Sequence, residues 1–222
     1  MPRFIDLTLT LRRGMRGVEF TPACKVAEDG WNATTLHLYS HCGTHMDAPC
    51  HYEVSDQGID QIPIEACAGP AWIVDLGAIE PRGLIDVQHL GTVASQLQPG
   101  ESILFRSGWS SRLEQPEYRL ALPRIAPGLA RWCAGRRVRI VGVEPPAVAD
   151  VTDRAETTEI HRILLAGGVG IVEGLAHLDR IRHPKVWFMA LPIKWERGDG
   201  APVRALAIEG APWADWIPEI PL

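Results

Sequence analysis

The apolar residues of this chain come in short runs closed by turn residues, and this punctuation constrains the fold more than any other feature. Ala71 to Leu76, Ser102 to Phe105, Val138 to Val143 and Val186 to Ala190 read as buried strands, and Val203 to Ile208 adds another. Phe4 to Thr10 alternates well enough for a strand, and Ala33 to Ser40 carries the β-formers Thr34, Thr35 and Tyr39. Helical segments are fewer. One is expected over Asp86 to Leu97, stopped by Pro99-Gly100. A second starts near Pro127, a good first-turn residue, and ends by Gly135; a third runs from Thr157 to Ala166, closed by Gly167-Gly168. Strands outnumber helices and several connections exceed hairpin length, so the expected class is α/β with a mixed sheet rather than a regular βαβ repeat.

No repeat, low-complexity tract or linker divides the chain, so residues 1–222 are expected to form a single domain that buries its core without disulfides. The tail carries Pro212, Trp213, Trp216, Pro218 and Pro221, and is expected to run extended over this subunit or a neighbour. The net charge of −5 has no basic stripe to offset it; Arg12-Arg13 and Arg136-Arg137 are too short. Phosphate contacts dominate nucleic-acid affinity, so nucleic acid is not the expected partner. The longest apolar runs, such as Val186 to Ile193, are too short to cross a membrane, and Met-Pro-Arg-Phe-Ile-Asp lacks the features of a signal peptide. Cys24, Cys42, Cys50, Cys67 and Cys133 are odd in number and include no Cys-x-x-Cys, which suits reduced thiols in a cytoplasmic protein.

One segment carries chemistry. His41, His45, Asp47 and His51 fall within His41-Cys-Gly-Thr-His-Met-Asp-Ala-Pro-Cys-His51. Neutral imidazoles and a carboxylate are ligands for zinc, manganese or iron. A helix would align His41 with His45 but send Asp47 and His51 elsewhere, and Gly43 and Pro49 oppose one. In an extended chain all four share one parity and face one side, whereas Cys42 and Cys50 face away as small packing residues. A His-rich polar turn is the plain alternative, and four ligand-type side chains of one parity weigh against it. His37 shares the parity and is expected to lie further down the strand, behind the site or in the core. Glu144 and Asp150 flank Pro145-Pro146 and are taken as bystanders; His89, His177 and His183 are taken as surface residues.

The pattern H-x-G-T-H-x-D-x-P-x-H resembles the signature of the cyclase-like metal-dependent hydrolases, which include bacterial kynurenine formamidase and isatin hydrolase. The resemblance extends more loosely to Ile5-Asp6-Leu7-Thr8, Arg106-Ser-Gly-Trp109, Leu191-Pro-Ile-Lys and Gly198-Asp-Gly-Ala-Pro-Val-Arg204. It implies a swivelling β/β/α-type domain, a site for one or two divalent ions, and a homodimer or homotetramer. It also implies that His41, His45 and Asp47 hold the first metal, with Asp47, His161 and Glu173 holding a second. His51 then resembles the family's general acid/base, its alternative being one more ligand. Thr44 is expected to hydrogen-bond to the site or its ligands, and Gly43 and Pro49 to shape the backbone. The implied activity is hydrolysis of a C–N amide bond in an aryl formamide or a small cyclic amide by a metal-activated water.

The sequence departs from kynurenine formamidases in one place. Their Trp-Pro-Gly-Asp-Thr-Pro-like stretch has no counterpart across Arg16 to Pro22 or Asp29 to Asn32, so arylformamidase is not favoured over hydrolysis of another small amide. Trp31 and Trp109 are candidates to line an aromatic substrate pocket, with core packing as their ordinary role. Two other functions remain: a metal-dependent cyclase or dehydratase, and a metal-containing protein that binds a small molecule without turnover. His51, beyond the first three ligands, favours catalysis. No Gly-x-Ser-x-Gly, His-Glu-x-x-His, Walker or deaminase pattern competes. The metal itself, Zn2+ or Mn2+, is not legible from such ligands.

Overall fold

Each short apolar run forms a strand in the computed structural model, which describes residues 1–210; the proline- and tryptophan-bearing tail expected to cover the surface lies outside them. In chain order the elements are β1 (Arg3–Asp6), β2 (Val18–Cys24), α1 (Val26–Asp29), β3 (Ala33–Leu38), β4 (His45–Asp47), β5 (Ala68–Asp75), β6 (Leu84–Ile85) and α2 (Val93–Gln96). There follow β7 (Ser102–Arg106), α3 (Glu117–Leu120), β8 (Arg124–Ile125), α4 (Pro127–Gly135), β9 (Ile140–Val143), α5 (Arg154–Ala166), β10 (Gly170–Glu173), β11 (Lys185–Pro192) and β12 (Gly200–Glu209).

The class is α/β with a mixed sheet, as expected, and the sheet closes on itself. Its order is β1-β12-β11-β5-β7-β9-β10-β4, with β12 also pairing β4. Pairs β5–β7, β7–β9 and β9–β10 are parallel; the others are antiparallel. β12 makes the closure. Val203–Ile208 pair with β11 along one edge, while the other edge is shared between β4, along Gly200–Pro202, and β1, along Leu206–Glu209. The alternation of each strand then sorts side chains into two cores. Met46, Leu104, Ile140, Val172, Phe188 and Ala205 fill the interior. Ile103, Phe105, Val141 and Ile171 point outward and pack under α4 and α5, against Leu129, Cys133, Ile160 and Leu164. Each such side chain contributes roughly 1.5–3 kcal/mol by leaving water. Gly142 faces the interior, where a Cβ would stand 2.5 Å from Leu104 Cδ2 and 2.8 Å from Leu175 Cδ1, so a larger residue would have to displace packed core.

Two expected elements differ. The helix over Asp86 to Leu97 is a 3-10 turn, Val87–Leu90, followed by the single turn α2. Gly91, at φ 52°, breaks the path, because a right-handed helix cannot continue through that conformation. The third helix starts three residues before Thr157, because the Asp153 carboxylate accepts the N–H groups of Ala155 and Glu156 and caps α5 at Arg154. β2 and β3 pair only with each other, as a hairpin beside the barrel. His37 is therefore exposed on that hairpin, hydrogen-bonded to Thr21 Oγ1 at 3.1 Å, and is neither in the core nor behind the site as expected.

Candidate metal centre

Met46 points into the barrel, so its neighbours His45 and Asp47 on β4 point outward, toward α5. The register with β10 sets Glu173 directly across from His45 and Ile171 across from Asp47, so Glu173 shares their face. α5 lays His161 over the same spot, with Ile160, Leu164 and Leu165 of the helix buried beneath. The segment from His41 to His51 is not one extended strand, in contrast to the sequence expectation. Only His45–Asp47 is strand; His41 lies in the preceding turn and His51 in a 3-10 turn, Pro49–Tyr52. Convergence comes from those turns. Gly43 takes φ 61° and Gly174 φ 67°, and a Cβ on Gly174 would stand 2.4 Å from the Gly43 carbonyl oxygen. Thr44 ties this contact: its hydroxyl donates to Gly174 O at 2.5 Å and accepts from Leu9 N at 2.8 Å.

His41 Nδ1 is 2.9 Å from Asp47 Oδ1, and His45 Nε2 is 3.6 Å from the same oxygen and 3.1 Å from Glu173 Oε2. His161 Nε2 stands 3.5 Å from both Asp47 Oδ2 and Glu173 Oε1. The far nitrogens are tied down. His45 Nδ1 lies 3.1 Å from Gly43 O and His161 Nδ1 2.7 Å from Thr157 O. A carbonyl can only accept, so Nδ1 carries the proton in both and Nε2 is the atom that faces the carboxylates. Metal-ligating histidines are held in the same way.

His45, Asp47, His161 and Glu173 are all buried, and Asp47 Oδ2 has no hydrogen-bond donor among the described residues. Burial would raise the Glu173 pKa, but the hydrogen bonds and charges of His161 and His45 hold it far below the usual carboxylate range. Burial likewise disfavours charge on His45 and His161, and the facing Glu173 and Asp47 outweigh it and raise both. The pocket therefore demands positive charge. His41, His45 and Asp47 bring ligand atoms within 4.8 Å of one another, as do Asp47, His161 and Glu173, and as do His41, His51 and Asp199. Nitrogen and carboxylate donors around one orphaned oxygen fit a divalent cation, with Asp47 common to the first two groups.

His51 stacks on His41, ring centroids 3.9 Å apart, with its Nδ1 3.9 Å from Asp199 Oδ2. Burial holds its pKa below that of a free imidazole, so it is neutral near pH 7. Tyr52 stacks on His161 at 4.3 Å, and burial pushes its phenol well above the usual value. A cavity of about 220 Å³ touches His41, His45, His51, His161 and Glu173 and reaches Arg16 and Arg119. A larger one of about 650 Å³, walled by Leu9, Met15, Leu113 and Leu120, shares Arg16, His41, His45 and Arg119 with it.

The six residues expected at the site, His41, His45, Asp47, His51, His161 and Glu173, thus meet at one place. The two tryptophans do not join them. Trp31 is 58% exposed beside the β2–β3 hairpin. Trp109 is buried with Tyr118 and Leu122, its indole N–H donating to Tyr118 O at 2.9 Å. Glu144 stays outside the site: its buried carboxylate accepts from Ser107 N, Trp109 N and Ser110 Oγ and shapes that turn. Asp150 is also engaged, holding Thr152 and Arg82. Asp199 was not singled out from the sequence, where one acid between Gly198 and Gly200 reads as a turn.

The sequence model of the Cyclase family matches residues 5–150, and the chain belongs to that family. It is 33% identical over 199 residues to the kynurenine formamidase of Salinibacter ruber, covering 87% of this chain and 88% of that protein. Among solved structures it superposes on isatin hydrolase A from Labrenzia aggregata, bound to benzyl benzoate, with a TM-score of 0.84 at 23% identity and 93% of each chain covered. A potential metal-dependent hydrolase with cyclase activity gives a TM-score of 0.76 at 24% identity, covering 96% of this chain and 100% of that one.

Proposed function

We propose that this protein is a metal-dependent amidohydrolase that cleaves the C–N bond of an aryl formamide or a small cyclic amide. The observation that carries the reading is the buried set His45, Asp47, His161 and Glu173 with His41 beside it, two Nδ1–H groups anchored to carbonyls and Asp47 Oδ2 left without a donor among the described residues. The names of its relatives, a kynurenine formamidase and an isatin hydrolase, support amide hydrolysis over the alternatives of cyclisation, dehydration or binding alone. A divalent cation, Zn2+ or Mn2+, held there would polarise the scissile carbonyl and lower the pKa of a water.

The chain's own residues supply the rest. His51 is neutral, half-buried and at the edge of the cavity, so it can accept a proton and return it to the departing nitrogen. Asp199 faces both His41 and His51 and orients the two stacked rings. The apolar wall of the larger cavity, formed by Leu9, Met15, Leu113 and Leu120, accepts the body of the substrate and excludes water from it. We read the protein as cytoplasmic, in keeping with five free cysteines, and as a homodimer or homotetramer, in keeping with a hairpin that exposes Trp31 and Leu36. No helix among the described residues is long and apolar enough to cross a membrane.

The test pairs metal analysis of the purified protein with hydrolysis assays on N-formylkynurenine, isatin and simple lactams. Stoichiometric zinc or manganese with chelator-sensitive turnover is the expected result. A protein that binds neither ion and turns over none of these would overturn the reading.

A further inference from the structure

Of the arginines that line the larger cavity, Arg16 and Arg119 also reach the histidines. Arg119, on α3, and Arg16, in the turn before β2, border both the small cavity at the histidines and the larger apolar one. Arg119 is half-buried and Arg16 is exposed at the cavity rim, and neither guanidinium has a carboxylate within ion-pair distance among the described residues. Arg12 nearby is paired with Glu114, so the neighbourhood does satisfy a guanidinium where an acid is provided. Arg16 instead lies over the Tyr39 ring, 5.3 Å from its centroid, and Tyr39 in turn abuts His41 with centroids 5.5 Å apart. Burial disfavours the charge on Arg119 and the neighbouring Arg16 charge disfavours it further, with Glu173 and Tyr39 offsetting this only in part. Like charges brought together in a partly enclosed space repel, and an anion between them relieves both costs. Guanidinium forks match a carboxylate bidentately, and Leu9, Met15 and Leu113 give the wall beyond them an apolar part.

We propose that Arg16 and Arg119 form a carboxylate subsite at the junction of the two cavities, which selects amide substrates that carry an anionic carboxylate on an apolar or aromatic body. The inference rests on the amidohydrolase reading for the word substrate, but the subsite itself can be tested without turnover. Bound there, the carboxylate fixes the substrate at one end while the amide lies toward His41, His45 and His51, so binding strength is converted into orientation.

Binding of 2-aminobenzoate and of its uncharged amide, measured by calorimetry on both metal-loaded and chelated protein, separates this subsite from direct ligation of a carboxylate to a metal. The wild type is expected to prefer the acid about 10-fold or more in both forms, and Arg119→Gln or Arg16→Gln to abolish the preference. Arg119→Lys, which retains charge without the fork, is expected to retain part of it, and far-ultraviolet circular dichroism checks that each variant is folded. In parallel, the ratio of kcat/KM for an aryl formamide bearing a free carboxylate to that of its methyl ester is expected to fall about 10-fold in either Gln variant. An acid preference that disappears on chelation, or that survives unchanged in both Gln variants, overturns the subsite. If neither a formamide nor a cyclic amide is hydrolysed, the proposed activity fails, while the calorimetry still decides the subsite.

Discussion

Single side chains in this site divide between holding a cation and handling a proton, and substitution can tell the two apart. If His51 is the proton carrier, His51→Ala lowers kcat about 10²–10⁴-fold while metal content stays at the wild-type level. Loss of metal in that variant would make His51 a ligand instead. Glu173→Gln is expected to do the reverse and strip the metal, since the neutral amide cannot balance His45 and His161. Thr44→Val removes a buried hydroxyl that serves both Leu9 N and Gly174 O. With two polar groups orphaned, it should cost about 1–3 kcal/mol in urea denaturation; an unchanged midpoint would remove Thr44 from the account. The residues themselves differed in how legible they were. His41 to His51 announce themselves by type and close spacing, though turns and not strand parity bring them together, but Trp109 does not, because the indole donor that could face a ligand is satisfied by Tyr118 O.

At the level of elements, the site depends on α5 and on the β4–β10 register. Asp153→Ala removes the α5 N-cap and should cost about 1 kcal/mol, with weaker metal retention because His161 rides on that helix. A thermal melt and metal analysis of the variant would check both effects. Strand positions were readable from short apolar runs, and α4 from Pro127 and Gly135, because these signals are local. Pairing is not local. Nothing in the composition of β10 says that Glu173 will sit across from His45; only resemblance linked them before the register was seen. The helix expected over Asp86 to Leu97 failed for a related reason: its apolar spacing is real, and Leu90, Val93 and Leu97 are buried, but Gly91 turns the chain between them. The one-residue signal outweighed the periodic one.

On the scale of the whole molecule, stability should follow acid titration and metal occupancy. Arg106 at 2.6 Å holds the Asp75 carboxyl below its ordinary pKa. Burial would raise Glu209, but the N–H groups of Arg182 and His183, with Arg3 beside them, keep it low. A carboxyl whose folded pKa is depressed stabilises the fold fully above its unfolded value, and that stability disappears as pH falls through the folded one. These carboxyls should therefore make the melting temperature fall below about pH 4. Arg3→Ala should lessen the fall. Chelation should lower the melting temperature near neutral pH, where the ligands are deprotonated, since free metal at about 100 times its Kd contributes about 2.7 kcal/mol. The closure of the barrel by β12 bears on how the protein comes to exist at all. His41 lies against Asp199, 158 positions further along the chain, and the last ring contact waits for β12 itself. At a synthesis rate of about 5–20 residues per second that separates the two by on the order of ten seconds or more. During this interval His41, His45, Asp47, His161 and Glu173 are all made while the sheet that positions them is still open at the β12 seam.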